Sequence, residues 1–134
     1  MPLDTPFSST KAPCKDRVNR GYRAHRSGLA AEAQVAAQYQ VMGYTLAAER
    51  WRGAAGEIDL VFENEEGVVF VEVKKARSVD IASARVSARQ LRRLILAGEE
   101  YLGTRPHGLL TAARFDLAAV GGLGDVSIVE NITL

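Results

Sequence analysis

Cysteine is nearly absent from this sequence, because Cys14 is the single cysteine among 134 residues. An intramolecular disulfide and a thiolate metal cluster are therefore excluded. Long apolar runs are absent too, and none approaches the roughly 20 residues that a membrane helix needs. The N-terminal residues lack the apolar segment of a secretory signal. We therefore expect a cytoplasmic protein without a membrane partner.

Excess charge of either sign is also missing, since 17 basic residues balance 16 acidic ones to a net charge of +1. Strong nonspecific DNA binding through the charge of the whole chain is therefore not predicted. The basic residues are nevertheless clustered, in residues 1–26 and again in residues 74–93. Solvated surface and nucleic-acid contact explain these clusters equally well.

The order of elements predicts one α/β domain. Residues 1–22 are rich in Pro, Ser, Thr, Lys and Arg, which predicts a flexible basic tail ahead of a domain over residues 23–134. Apolar periodicity in that domain predicts the order αβββαββ, hence a mixed sheet flanked by helices. The predicted helices are 26–42, capped by Ser27, and 87–103, capped by Ser87. The predicted strands are 44–52, 57–63, 68–75, 109–120 and 126–134.

Two predicted elements carry acidic side chains that need an explanation. Glu32 lies near the middle of the apolar arc of the first helix, and a carboxylate facing the core is costly unless it is paired or bound to a cation. In the second strand, Ile58, Leu60 and Phe62 are expected on one face and Asp59 on the other.

The loop around residues 64–67 fixes the register of a hairpin between the second and third strands. The expected pairs are Glu63 with Val68, Asp59 with Glu72, and Glu57 with Lys74. Paired residues have Cβ atoms about 5 Å apart on one face, and two carboxylates so placed repel each other. A hard divalent cation would reverse that repulsion, because Mg²⁺ prefers carboxylate oxygens.

The simpler interpretation is an ordinary strand surface. Strands often carry exposed Asp, Glu and Lys, and a Glu57–Lys74 ion pair on such a surface is worth well under about 1 kcal/mol. Against this, Val68, Val69, Phe70, Val71 and Val73 are typical of a strand that is buried on both faces. Charged side chains at positions 72 and 74 of such a strand need a function or a partner.

Several blocks of sequence resemble the YraN-like family of bacterial proteins, which are predicted to be endonuclease-like and similar to Holliday-junction resolvases. The matching blocks are residues 28–33 around Glu32, Gly43-Tyr44, Arg52, residues 56–61 (GEIDLV), residues 69–74 (VFVEVK), residues 114–117 (RFDL), and the closing Ile128-x-x-Asn131. The resemblance covers about residues 25–134. The GEIDL and FVEVK blocks are specific together, whereas neither is specific alone.

The resemblance implies a restriction-endonuclease-like fold of the PD-(D/E)xK type. It implies that Asp59 and Glu72 are metal ligands, with the carbonyl of Val73 as a further oxygen ligand. Glu32 would reach the same metal from the helix, and Lys74 would be the catalytic lysine. The implied activity is hydrolysis of phosphodiester bonds in DNA, with Mg²⁺ or Mn²⁺ as cofactor, and branched or otherwise structured DNA is a candidate substrate.

Weaker candidates concern substrate contact and other functions. Arg52, Arg89, Gln90, Arg92 and Arg93 are candidate nucleic-acid-binding residues. The chain departs from the family pattern at Arg50, where Asn is usual, and near Gln90, where a Lys is usual. A catalytically silent nucleic-acid-binding module and a protein-interaction domain on the same fold stay open as alternatives, and so does a homodimer.

Overall fold

The computed structural model describes residues 15–133, and it describes side chains from residue 28 onward. By its contacts the chain divides into two units, Met1–Ala30 and Ala31–Leu134. All five strands lie in the second unit. The predicted tail over residues 1–22 falls mostly outside the described residues, so the domain boundary stays a prediction. In the part described, no helix combines the length and apolar character needed to cross a membrane.

The order of elements confirms an α/β fold. Residues 15–133 contain three α-helices: α1 (Lys15–Val41), α2 (Val79–Ala84) and α3 (Ala88–Leu102). The same residues contain five strands: β1 (Thr45–Arg52), β2 (Glu57–Asn64), β3 (Gly67–Lys75), β4 (Ala113–Val120) and β5 (Val126–Val129). The short α2 was not predicted. A single 3₁₀ turn, Gly108–Leu110, replaces the beginning of the predicted fourth strand.

The helix ends follow local signals only in part. α3 begins as predicted, because the Ser87 hydroxyl accepts from the Gln90 backbone N–H at 3.0 Å and the Gln90 side chain accepts from the Ser87 N–H at 3.3 Å. The prediction for α1 was wrong at its start, since the helix already runs from Lys15 and Ser27 lies inside it. Its stop was right, and Gly43 has the positive φ of 99° that favours glycine after a helix.

The five strands form one mixed sheet in the order β1-β2-β3-β4-β5. The β3–β4 pair is parallel, and the other three pairs are antiparallel. A parallel pair needs a long crossover, and α2 with α3 supplies it between β3 and β4. β3 therefore lies in the middle of the sheet, where Val68, Val69, Phe70 and Val71 are all buried as predicted.

Two main hydrophobic cores lie on opposite faces of the sheet. On one face, Ala31, Val35 and Tyr39 of α1 pack over Leu60 and Phe62, with Tyr39 stacked on Phe62 at a centroid distance of 4.5 Å. On the other face, α3 packs over β2 and β3, with a core formed by Ile58, Val61, Phe70, Leu94, Ala97 and Tyr101. Each large apolar side chain buried here contributes about 1.5–3 kcal/mol.

The second strand does not alternate in the predicted way. Ile58 was expected beside Leu60 and Phe62, but it packs with Val61 in the core under α3, while Leu60 and Phe62 face α1. Successive side chains of a regular strand point to opposite faces, so residues 58 and 60 should share one. The alternation therefore breaks at Asp59, which lies between them.

Candidate functional site

Pairing between β2 and β3 ends just before the acidic residues. The ladder runs from Asn64–Gly67 to Leu60–Val71 and includes the predicted Glu63–Val68 pair. The predicted pairs beyond it are wrong, because the backbone N–H of Val73 donates instead to Oδ2 of Asp59 at 2.8 Å. A side-chain oxygen thus takes the place of a backbone acceptor, which fixes the Asp59 carboxylate against β3.

Glu72 and Lys74 share a face of β3, as their spacing predicts. The Lys74 Nζ lies 3.3 Å from Oε2 of Glu72, and only 22% and 19% of the two side chains are exposed. Lys74 was expected opposite Glu57, but Glu57 is paired with Arg52 at 3.1 Å. Lys74 is therefore paired with the mostly buried carboxylate of Glu72 rather than with the more exposed carboxylate of Glu57.

The pKa values of both carboxyl groups are raised. Burial, and after it the charge of Asp59, raise the pKa of Glu72 to about 7, while Lys74 opposes both effects. Burial also raises the pKa of Asp59, and the hydrogen bond from Val73 opposes it. Each pKa unit corresponds to about 1.4 kcal/mol between the two protonation states. The charged forms of both carboxyl groups are therefore disfavoured in this site, even with the Lys74 ammonium beside them.

Glu32 reaches the same region from α1. Its side chain is 18% exposed, in agreement with its predicted inward orientation, and Oε1 lies 2.5 Å from Nη1 of Arg50. Burial and the charge of Asp59 raise the pKa of Glu32, whereas Arg50 lowers it. The influence of Asp59 shows that Glu32 lies in the same electrostatic neighbourhood, although its direct partner is an arginine.

Arg50 has an unusual backbone for a strand residue. Its φ is 45°, although its neighbours Glu49 and Trp51 both pair with β2. The left-handed conformation costs roughly 1–2 kcal/mol for a residue with a Cβ, and Asn tolerates it better than Arg. In the sequence, Arg50 stands out only as a departure from the Asn that is usual in the family. The usual Asn at this position could have predicted the left-handed backbone, because Asn adopts that conformation more readily than most residues.

A cleft of about 180 Å³ opens beside Glu72. The sheet and the β1–β2 loop form one wall, and α2–α3 residues form the other; the lining residues are Ala55, Gly56, Glu57, Glu72, Val86, Gln90, Arg93 and Leu94. Two of the predicted nucleic-acid-binding residues, Gln90 and Arg93, are thus brought to the candidate site. Arg89 and Arg92 are exposed and do not line it, and Arg52 is occupied by Glu57.

The β1–β2 loop is tied to α3 by a residue that the sequence did not indicate. The Glu100 carboxylate accepts hydrogen bonds from the backbone N–H groups of Ala54 and Ala55, both at 2.9 Å. These two hydrogen bonds lower the pKa of Glu100. A Cβ at Gly53 would collide with the same carboxylate, so the close approach requires glycine. Glu100 therefore holds the wall of the cleft in place.

A second polar cluster lies in the core away from the cleft. Asp116 is fully buried and accepts hydrogen bonds from the Tyr39 hydroxyl at 2.6 Å, from the Asn131 backbone N–H at 3.0 Å and from Nε of Arg114 at 3.0 Å. Arg114 is thus paired with an acidic residue two positions along its own strand. The cluster ties α1, β4 and the segment after β5 together, and it explains the RFDL block and Asn131 structurally.

The fit of a metal ion can be judged from the donors. Among the side chains described, no group of three or more His, Cys, Asp and Glu residues is arranged to hold an ion. Mg²⁺, however, is commonly held by one or two carboxylates together with water. Asp59 and Glu72 provide two carboxylates, and the carbonyl of Val73, whose N–H contacts Asp59, would supply a further hard oxygen donor. This donor set fits Mg²⁺ or Mn²⁺, with Glu32 engaged by Arg50.

Comparison with known proteins identifies the family. The model of the uncharacterised protein family UPF0102 matches residues 31–120. The chain belongs to the UPF0102 family. A UPF0102 protein of Roseobacter denitrificans is 50% identical over 115 residues, which cover 86% of this chain and 89% of that protein. A UPF0102 protein of Cereibacter sphaeroides is 48% identical over 83% and 95% of the two chains, and one of Ruegeria pomeroyi is 47% identical over 87% and 95%. The predicted resemblance to the YraN-like group is thereby confirmed.

Proposed function

We propose that this UPF0102 protein is a divalent-metal-dependent endonuclease that hydrolyses phosphodiester bonds in DNA. One observation carries the proposal: two half-buried carboxylates, Asp59 and Glu72, lie close enough that the charge of Asp59 adds to burial in raising the pKa of Glu72, and the Lys74 ammonium is 3.3 Å from Glu72. Such a cluster is destabilising in a protein that makes no use of it. Perturbed carboxylates beside a cleft are a mark of functional sites.

The residues that would hold the ion are Asp59 and Glu72, with the Val73 carbonyl as a third oxygen. When bound, Mg²⁺ or Mn²⁺ would supply positive charge that offsets the two carboxylates and polarises a phosphodiester. Asp59 is already oriented for this by the hydrogen bond from Val73. Glu72 is kept in place by Lys74 on the same face of β3.

Lys74 has a role of its own in this proposal. Hydrolysis of a phosphodiester builds negative charge on the phosphate oxygens, and a fixed ammonium nearby stabilises that charge. The Lys74 side chain is mostly buried and is held by one carboxylate, so its position is defined before any substrate arrives. It can also hold the attacking water by hydrogen bonding.

The α3 wall of the cleft carries a basic side chain. Arg93 lines the cleft together with Glu72, and Gln90 lies about one turn before Arg93 on α3. An arginine guanidinium binds a phosphate through two parallel hydrogen bonds, so Arg93 is suited to the DNA backbone. The family resemblance to junction resolvases favours branched DNA among the substrates.

The test uses the full chain with labelled single-stranded, duplex and four-way-junction DNA, in Mn²⁺, Mg²⁺ or EDTA. We expect cleavage of at least one substrate with metal and none in EDTA. Asp59→Asn, Glu72→Gln and Lys74→Ala should each reduce the rate by about 100-fold or more. Glu65→Gln is the matched control, because Glu65 is exposed in the hairpin loop far along β2 from the cluster, and it should leave the rate unchanged.

Two outcomes would count against this proposal. The first is the absence of product from every substrate at millimolar metal concentration. The second is cleavage that Asp59→Asn does not alter, which would indicate a contaminating nuclease. DNA binding that is insensitive to metal and yields no product would instead favour the catalytically silent binding module.

A further inference from the structure

The three acidic side chains of the site have three separate partners. Asp59 accepts a hydrogen bond from Val73, Glu72 is paired with Lys74, and Glu32 is paired with Arg50. The Glu32 contact is the shortest of the three, at 2.5 Å. Glu32 is therefore paired with a cation that the chain itself supplies, within electrostatic reach of Asp59.

Arg50 is held in this position by its backbone. It has a left-handed φ of 45° between two residues that pair with β2, so the strand fixes the point from which the side chain starts. Strained conformations persist where the surroundings enforce them, and they concentrate at functional sites. Arg50 influences more than one carboxylate, because its charge lowers the pKa of both Glu32 and Asp59.

The Arg50–Glu32 pair is partly exposed to solvent. The Arg50 side chain is 42% exposed, whereas that of Glu32 is 18% exposed. The Arg50 guanidinium can therefore reach water more readily than the Glu32 carboxylate can. Arg50 also approaches Glu49 at 3.5 Å, which gives the guanidinium a second, more exposed partner to move toward.

We propose that Arg50 is a built-in counter-ion of the metal-free site, and that a divalent cation must displace it from Glu32 in order to gain that carboxylate as a ligand. The inference rests on the proposed function, because it takes Asp59 and Glu72 as the primary metal ligands. Arg50 is then a positioning residue that lowers metal affinity. Once displaced, its guanidinium is a donor at the edge of the site that suits a phosphate oxygen.

The experiment measures Mn²⁺ binding to the full chain by calorimetry, without DNA. Arg50→Asn removes the guanidinium and relieves the strained backbone, so we expect the Kd for Mn²⁺ to fall by about fivefold or more, because the ion then gains Glu32 without displacing a competing cation. Arg50→Lys keeps the charge and should stay within about twofold of the wild type. In a Glu32→Gln background, Arg50→Asn should lose most of its effect, because the contested ligand is gone.

Arg105→Asn is the matched control. Arg105 is also paired with a strand glutamate, Glu63 at 3.1 Å, but at the opposite end of β2. The Kd of the Arg105→Asn variant for Mn²⁺ should equal that of the wild type. An equal gain of affinity in this control, or a gain in Arg50→Asn that persists without Glu32, would overturn the proposal in favour of a long-range charge effect.

The remaining outcomes separate this inference from the proposed function. An unchanged Kd in Arg50→Asn, together with loss of binding in Asp59→Asn, would overturn the role of Arg50 and leave the metal site standing. An absence of Mn²⁺ binding by the wild type at millimolar concentration would overturn both. Circular dichroism of each variant confirms that the fold is retained.

Discussion

The backbone N–H of Val73 donates to the Asp59 carboxylate over 2.8 Å, at the point where the β2–β3 ladder stops. A side chain thereby replaces a backbone acceptor, and the two strands are free to diverge beyond Leu60 and Val71. This contact needs an oxygen acceptor but no charge. The structural role and the proposed metal-binding role of Asp59 can therefore be separated by the choice of substitution.

The first prediction uses that separation in thermal unfolding. Asp59→Asn can keep the acceptor for Val73 while removing the charge, so the metal-free variant should be as stable as the wild type or more stable. Millimolar Mn²⁺ should raise the Tm of the wild type, since a ligand at 100 times its Kd stabilises the native state by about 2.7 kcal/mol. The variant should lose most of this rise.

Asp59→Ala lacks the acceptor and should be less stable than Asp59→Asn by about 1–3 kcal/mol, since it leaves a part-buried N–H unpaired. Asp80→Asn, an exposed carboxylate of α2, is the control and should respond to metal like the wild type. Equal metal responses in the wild type and in Asp59→Asn would contradict the prediction.

The second prediction concerns pH in a chelator. The pKa of Glu72 is about 7 in the folded protein, against an ordinary value of 4.5. Between these values the folded state holds more protons than the unfolded state, so stability falls as pH rises from about 4.5 to about 7. The loss from this group is at most about 3 kcal/mol at pH 8.

Glu72→Gln should remove that dependence, so it should flatten the curve of unfolding free energy against pH and stabilise the metal-free protein at pH 8. Urea unfolding at pH 5 and pH 8 measures both effects, with Glu65→Gln as the control on the exposed loop. A variant that is less stable than the wild type at pH 8 would mean that the Lys74 pair outweighs the cost of burial.

Much of the fold follows from local patterns in the sequence. The alternating and continuous apolar runs gave β1–β3 within a residue at each end, and the Ser87 cap gave the start of α3. The Glu63–Val68 register followed from the turn, because a hairpin loop fixes the pairs next to it. These features depend on residues that are close in the sequence.

The site was harder to predict because it departs from regular structure. Extending the hairpin register paired Asp59 with Glu72, yet the ladder ends one pair earlier, where the Asp59 side chain competes with the backbone. Periodicity also placed Ile58 on the wrong face, because the alternation of side chains along β2 breaks at Asp59. The Arg50–Glu32 pair joins a strand and a helix 18 residues apart, and no local pattern encodes it.

The third prediction concerns the buried Asp116. Asp116→Ala would leave the Tyr39 hydroxyl, the Asn131 N–H and the Arg114 guanidinium without their acceptor, and it should cost about 3–5 kcal/mol of stability. Tyr39→Phe removes one hydrogen bond and keeps the ring stacked on Phe62, so it should cost only about 1–2 kcal/mol. Urea unfolding of both variants provides the measurement. A similar loss of stability in the two variants would mean that packing rather than hydrogen bonding determines what this cluster contributes to stability.

The fourth prediction tests the packing of α3 on the sheet. A Cβ at Gly98 would lie 2.6 Å from Cζ of Phe115 and 3.1 Å from Cε2 of Phe70, so Gly98→Ala must push the helix from the sheet. Overpacking of this kind costs about 1–3 kcal/mol. This overpacking cost should exceed the roughly 1 kcal/mol that alanine contributes through its higher helix propensity. Gly122→Ala, where a Cβ meets nothing within 4 Å, should stay within about 0.5 kcal/mol of the wild type in the same unfolding assay.

The last prediction concerns how the cleft binds DNA. Arg93 lines the cleft on α3, and a single phosphate contact from it should weaken binding to all DNA sequences alike when it is removed. In Arg93→Ala, the slope of the logarithm of the binding constant against the logarithm of salt concentration should become shallower by about 1, because one fewer counterion is released. Fluorescence anisotropy at several salt concentrations measures this slope. Arg105→Ala removes the same charge beyond the other end of α3 and should keep the wild-type slope; equal changes in the two variants would mean that overall charge, not the cleft, attracts the DNA.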